Sequence, residues 1–212
     1  MENRTQKITA AQNRRVSFDV IPGHFATSNS HVSAYIDMNG IKSSFRAAKE
    51  AAKELATGIY GVIPVDTIIC LEGTKMIGAF LAEELSEGLH GINSGNEIMV
   101  ITPEFNTYNQ IILRDNLQPM VRDKNVLLLA SSVSSGKSIV QAAECLAYYG
   151  GKLMAAAAIF SDVDNIRGLK IHHIFGHDDI PEYSSYKQEE CAMCKAGKKI
   201  DAIVNSFGYS KL

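Results

Sequence analysis

The segment from Asn125 to Gly151 reads NVLLLASSVSSGKSIVQAAECLAYYGG. An apolar run enters a serine-rich turn, passes Gly136 and opens into a helical pattern. A phosphate group suits such a turn. The first turn of a helix carries unpaired N–H groups and a partial positive charge, which together attract an anion. Gly136 lets the backbone approach a ligand closely. The hydroxyls of Ser134, Ser135 and Ser138 can donate to phosphate oxygens, and Lys137 adds charge if it turns inward. Serines at a helix start also serve as plain caps, but this cluster exceeds what a cap needs. A Gly-Lys-Ser string also suggests a nucleotide P-loop. That motif opens on a glycine five residues before Gly136, where this chain has Ser131.

A second turn of the same kind, Glu72-Gly73-Thr74-Lys75, follows the apolar TIICL of Thr67–Leu71. Asp162 and Asp164 come just after a further apolar run and are candidate carboxylates for the same cleft, although Asp after a strand is commonly a turn residue. His24 and His31 are candidate ligand contacts. Cys191-x-x-Cys194 has the spacing of half a zinc knuckle. His172, His173 and His177 precede it and could complete a set of four. With no second cysteine pair in the chain, the expected state is two reduced thiols and no bound metal. Nor does the pair sit at a helix start after an early strand, where a redox Cys-x-x-Cys belongs.

The elements that must position these residues follow from periodicity. Val16–Ile21 and His31–Met38 alternate as strands do, with Gly23–Asn29 expected as the loop between them. Ser43–Thr57 is expected to be a helix, capped by Ser43 or Ser44 and closed by Gly58, with Phe45, Ala48, Ala52 and Leu55 as its core face. Thr67–Leu71, Glu97–Thr102, Asn125–Ala130, Leu153–Phe160 and Ile171–Phe175 read as buried strands. Helices are expected over Ile77–Leu85 and Lys137–Tyr149, the latter closed by Gly150-Gly151. Pro103–Asp123 is polar and weakly periodic, with a strand expected over Gln110–Arg114. Strand, turn and helix repeat at least three times, which predicts an α/β fold: a mostly parallel, doubly wound sheet with flanking helices. Ligands in such sheets bind beyond the carboxyl ends of the strands, where both turns lie.

Bulk properties narrow the function classes. The 212 residues fit a single domain, with residues 1–15 as a polar arm. With 46% hydrophobic and 21% charged residues, the chain can bury a core without covalent staples. A net charge of −2 gives no reason to expect nucleic acid or a membrane surface as partner. The opening MENRTQKITAAQNRR has no apolar stretch of the secretory kind, and the longest apolar run is too short to span a bilayer. The expectation is a cytoplasmic protein with reduced thiols, Cys70 and Cys145 being buried. Lys195, Lys198 and Lys199 read as a solvated charge run, and Tyr148-Tyr149 as a subunit contact.

The block around Gly136 resembles the ribose-phosphate motif of type I phosphoribosyltransferases, and the chain as a whole is most similar to the orotate type. In that motif a strand leads into two acidic residues, two apolar residues, two Thr or Ser, Gly, a small residue and Ser or Thr. Here Val126–Leu129 corresponds to the strand, and Ser134, Ser135, Gly136 and Ser138 to the 5′-phosphate cradle. Ala130 and Ser131 stand at the acidic positions. Gly23-His24-Phe25 leading to His31 and Tyr35 is similar to the family's N-terminal stretch, which puts His24 and Phe25 on the base side. Asp66–Ala82 is similar to the pyrophosphate loop, Glu72–Lys75 being its turn. Glu182–Gly197 resembles a Cys-x-x-Cys-x-x-Gly stretch of some members.

The resemblance implies the phosphoribosyltransferase fold with a small hood built from the two ends of the chain. It also implies a homodimer and a ribose 5-phosphate ligand, either phosphoribosyl pyrophosphate with Mg2+ or a nucleoside monophosphate. Two features depart from the family. Ala130 and Ser131 cannot supply the negative charge that favours an oxocarbenium-like transition state. Pro103–Asp123, at the place of the family's mobile loop, carries only Arg114 and Arg122 as cations. Three functions therefore stay open: phosphoribosyl transfer with altered groups, a lapsed enzyme that binds a nucleotide or sugar phosphate as a regulator, and a protein-interaction module using Pro103–Asp123.

Overall fold

In the computed structural model, which describes residues 2–88, 91–107 and 110–212, the chain builds two sheets of six strands and a small two-stranded ribbon. The chain opens with β1 (Gln6–Thr9), β2 (Ser17–Ala26) and β3 (His31–Asp37), then α1 (Asn39–Ser43) and α2 (Phe45–Ile59). β4 (Thr67–Cys70), α3 (Lys75–Glu87) and β5 (Met99–Ile101) follow, then the ribbon β6 (Glu104–Phe105) and β7 (Ile111–Ile112). Next come β8 (Asn125–Val133), α4 (Lys137–Tyr148), β9 (Lys152–Ser161), β10 (Asn165–Ile166) and β11 (Leu169–Phe175). The chain closes with β12 (Ser185–Tyr186), α5 (Ala192–Lys195), β13 (Ala202–Asn205) and β14 (Gly208–Lys211).

The central sheet has the order β10-β11-β9-β8-β4-β5, parallel throughout except for the edge strand β10. β8 lies in its interior, and alternate side chains serve opposite faces, as a pleated strand requires. Leu127 and Leu129 join one core with α2 and α3, while Val126, Leu128 and Ala130 join a second core with α4. Both faces are therefore covered by helices, the doubly wound arrangement expected from the sequence. Ala155–Ala158 of β9 are fully buried, and their small side chains let the helices approach the sheet.

The second sheet is the hood, with the order β12-β3-β2-β13-β14 and β1 along part of β2. Its strands come from both ends of the sequence: β13 runs parallel to β2, and the Asp201 carboxylate accepts from the His24 backbone N–H at 2.9 Å. The N-terminal arm is docked through β1, and Arg4 adds an ion pair to Asp201 at 2.9 Å. No helix among the described residues is long and apolar enough to cross a membrane.

Several local expectations change. β2 runs on to Ala26 through the expected loop, with an irregularity between Pro22 and Phe25. Ser44 caps α2 by accepting from the Ala47 N–H, but the helix continues past Gly58 to Ile59. Phe45 is 61% exposed, and the inward face is Ala48, Ala51, Ala52, Leu55, Ala56 and Ile59. Phe45 occupies the first turn, and the buried face begins only at Ala48. The Pro103–Asp123 segment forms the β6–β7 ribbon, closed by a bidentate Arg114–Glu104 pair. β8 extends to Val133, because Ser132 and Val133 still pair with Phe160 and Ser161 of β9.

Candidate functional site

Where the carboxyl ends of β4 and β8 face the hood, the chain encloses a cavity of about 400 Å³. That size falls in the range of small-molecule sites, roughly 300–1,000 Å³. All of Ser134–Ser138 line it. Gly136 makes the turn into α4. Its φ of 73° is left-handed, and a Cβ there would stand 2.3 Å from Ile166 Cδ1. As the N-cap of α4, Gly136 leaves the helix without a side-chain cap. The serines thus do not cap the helix, and its first residues, Lys137 and Ser138, line the cavity. Tyr183 lines the cavity with Ser134, and burial pushes the pKa of its phenol well up.

Ser131 belongs to the strand and is buried. Its N–H donates to Glu72 Oε2 at 3.1 Å and its hydroxyl donates to the same oxygen at 2.5 Å. The Ser132 N–H adds a third donor at 3.3 Å. The turn after β4 therefore delivers a carboxylate to the end of β8, where the family motif would have carried its own. Glu72 is the one carboxylate among the described lining residues, and its Oε1 has no hydrogen-bond partner among the described residues. It holds a left-handed φ of 55°, a conformation costing roughly 1–2 kcal/mol for a residue with a Cβ.

The other residues of that turn take different roles. Thr74 is buried and spends its hydroxyl on the Leu71 and Leu129 carbonyls at 2.7 and 3.1 Å. It ties the turn to β8 and does not face a ligand. Gly73 supplies a further left-handed residue, with φ 79°, and Lys75 is exposed at the start of α3. Neither lines the cavity.

A cation the sequence reading missed is Lys42, at the end of α1. Its ammonium donates to the Glu72 backbone carbonyl at 3.2 Å and to the Ser206 carbonyl. Burial lowers its pKa, against the opposing pull of Glu72 and Asp37. The β13–β14 turn, Asn205–Phe207, also lines the cavity, with Phe207 76% exposed at its mouth. Phe105 of β6 lies on the cavity wall and is 47% exposed. No local pattern marks these residues: the β13–β14 turn reaches the cavity through long-range pairing of the hood, Phe105 from the β6–β7 ribbon and Lys42 from α1.

Three expectations are corrected. His24 and Phe25, expected on the base side, lie outside the cavity; both are fully buried, Phe25 in the hood core against Tyr35. Asp162 and Asp164, the candidate substitutes for the acidic pair, do not line it either. Asp162 pairs with His177 at 2.6 Å and Asp164 with His173 at 2.8 Å, which engages those two histidines as well. Finally, the cysteine pair does have partners. His24 and His31 meet Cys191 and Cys194, with all four ligand atoms within 4.8 Å of one another. The expected candidates His172, His173 and His177 take no part. Tyr149 is engaged internally, its phenol accepting from the Leu113 N–H, while Tyr148 is 85% exposed.

No family model matches the sequence. Solved structures do match the fold. The UMP synthase of Leishmania donovani superposes with a TM-score of 0.57 at 19% identity, over 76% of this chain. This chain spans only 34% of that protein's length. The orotate phosphoribosyltransferase of Aeropyrum pernix matches with a TM-score of 0.52 at 18% identity, covering 77% of this chain and 90% of the other. The Mycobacterium tuberculosis orotate phosphoribosyltransferase, solved with 5-phospho-α-D-ribosyl 1-diphosphate, matches with a TM-score of 0.52 at 14% identity, covering 69% and 82%. With a parallel doubly wound sheet, a hood over its carboxyl edge and these structural neighbours, the chain has the phosphoribosyltransferase fold.

Proposed function

We propose that the cavity binds a ribose 5-phosphate compound, with the phosphate on Ser134–Ser138 and the ribose beside Glu72. The observation that carries this reading is the uncapped start of α4 at the left-handed Gly136, opening among serines into the cavity. A dianionic phosphate completes those N–H groups and gains from the helix dipole. Phe105 and Phe207 offer flat apolar faces to a base, consistent with a nucleoside monophosphate or with a base and phosphoribosyl pyrophosphate together. The structural neighbour solved with 5-phospho-α-D-ribosyl 1-diphosphate supports this class of ligand.

Glu72 favours a second, stronger reading: phosphoribosyl transfer. As the ribose C1–pyrophosphate bond breaks, positive charge develops on the ring. A carboxylate held by three donors next to Ser131 would stabilise it in place of the missing acidic pair. Mg2+ would enter with the pyrophosphate. A single carboxylate fits a hydrated magnesium held mainly by substrate oxygens.

Calorimetric titration tests the binding reading. Ribose 5-phosphate is expected to bind and ribose is not, and Ser134→Ala/Ser135→Ala is expected to weaken binding at least tenfold. No heat from ribose 5-phosphate, nucleoside monophosphates or phosphoribosyl pyrophosphate would overturn it and favour the interaction module. Pyrophosphate release from phosphoribosyl pyrophosphate, Mg2+ and orotate or another base, abolished in Glu72→Gln, would establish transfer. Binding without release would establish a regulator.

A further inference from the structure

The hood contains a second constellation, whose residues do not line the ligand cavity, that neither the phosphate loop nor Glu72 explains. His24 comes from β2, His31 from the start of β3, and Cys191 and Cys194 flank the first turn of α5. His24 Nε2 lies 3.1 Å from His31 Nδ1, 3.5 Å from Cys191 Sγ and 3.6 Å from Cys194 Sγ. Cys194 Sγ lies 3.3 Å from His31 Nδ1. We propose that these four side chains hold one structural zinc ion, clamping the Cys191–Cys194 segment to the hood.

Three arguments converge on this. The first is geometric. Zinc bonds of about 2.3 Å to sulfur and 2.0–2.1 Å to nitrogen, at tetrahedral angles, imply ligand–ligand edges of roughly 3.3 Å for N···N and 3.5 Å for N···S. The four distances just given match those edges to within about 0.3 Å. The second is a shortage of hydrogen-bonding capacity. His24 Nδ1 lies 2.8 Å from the Lys198 carbonyl, so it must carry the proton and leave Nε2 with one lone pair. That single lone pair faces an imidazole nitrogen and two sulfurs. They cannot all donate to it, whereas a cation at their centre uses a lone pair from each.

The third argument is the surrounding structure. A carbonyl that fixes the tautomer of a ligating histidine is the usual support around such a metal, and Lys198 supplies it. The Cys194 N–H donates to Cys191 Sγ at 3.5 Å, which ties the two cysteines into one turn. His24, His31 and Cys191 are buried, and only Cys194 is exposed. Two thiolates and two imidazoles in a tetrahedron suit zinc among the common divalent ions. Four protein ligands close the coordination shell, so the ion is structural and does no chemistry on a substrate.

Its position gives it a purpose. The clamp joins β2 and β3 to the segment that leads directly into β13, whose turn bears Phe207 at the cavity mouth. Loss of the ion should therefore loosen the last strands of the hood.

Elemental analysis of the purified full chain is expected to find about one zinc per chain, as for other four-ligand structural sites. Cys191→Ser and Cys194→Ser should lose it, and Cys145→Ser, a thiol outside the cluster, should keep it. Because loss of a ligand can also unfold the first two variants, the wild-type protein gives the decisive reading. After removal of metal by a chelator, Co2+ should produce the intense thiolate-to-cobalt band and the d–d bands of a tetrahedral site, and Zn2+ should bleach them. A wild-type chain that carries no stoichiometric zinc after growth with zinc, and shows no such bands with Co2+, would overturn the proposal.

Discussion

Gly136→Ala is the substitution that most directly tests the geometry of the phosphate loop. Gly136 has φ 73°, and a new Cβ would stand 2.3 Å from Ile166 Cδ1 and 2.8 Å from Ile166 Cγ1. Left-handed backbone costs an alanine roughly 1–2 kcal/mol. Forcing a methyl into a packed contact costs about 1–3 kcal/mol more. Stiffening the unfolded chain returns about 0.4–1 kcal/mol. The net loss is about 1–4.6 kcal/mol, or roughly 2–18 °C in melting temperature for a chain of this length. Ile166 sits on β10, so the overlap can be relieved from the other side. Trimming it to alanine should recover the packing part and leave the backbone part. A double-mutant cycle by urea unfolding is therefore expected to give a favourable coupling of about 1–3 kcal/mol between Gly136→Ala and Ile166→Ala. The affinity for ribose 5-phosphate should stay depressed in both Gly136 variants, because the N–H groups at the helix start move with the turn. A Gly136→Ala protein as stable as the wild type, or a cycle with no coupling, would refute the reasoning.

Two further outcomes are expected. Phe207→Ala should weaken a nucleoside monophosphate by about 1–3 kcal/mol, the worth of one stacked base, while leaving ribose 5-phosphate within a factor of about two; calorimetry on both ligands checks this. Burial, with Asp37 and Tyr209 adding to it, raises the pKa of Tyr35 from 10.0 to about 12. The folded state then holds a proton that the unfolded chain releases, so this residue's contribution to stability is intact below pH 10 and is lost as pH rises toward about 12. The stability of the wild type should fall more steeply across that window than that of Tyr35→Phe, and equal slopes in urea unfolding would contradict the assignment.

The sequence carried the interior of the central sheet because β4, β8 and most of β9 are buried on both faces and show as apolar runs. NVLLLA and LMAAAAIF are legible for that reason, and the glycine after the serines marks the turn between sheet and helix. The hood was harder to read. β2 bends through Gly23 and His24, so its second half has no clean alternation, and β13 owes its place to pairing with a strand far away in sequence. The same distance hid the site's carboxylate. Ala130 and Ser131 announced that the acids were gone, but Glu72 lies 59 positions before Ser131, and only the parallel pairing of β4 with β8 brings them together. The cysteine pair shows the limit most plainly. The histidines near it in the chain take no part, whereas His24 lies 167 positions before Cys191 and arrives through the sheet.

That long span also has a consequence for biosynthesis. Chains emerge from the ribosome at roughly 5–20 residues per second, and early segments fold as they appear. The central sheet is made of contiguous strand–helix units and can assemble as it emerges. The edge of β2 that later receives β13 has its anchor, the His24 N–H, 177 positions before Asp201. For the roughly ten to thirty-five seconds implied by that rate, the nascent hood presents an open strand edge, the kind of surface that chaperones cover and that other chains can capture.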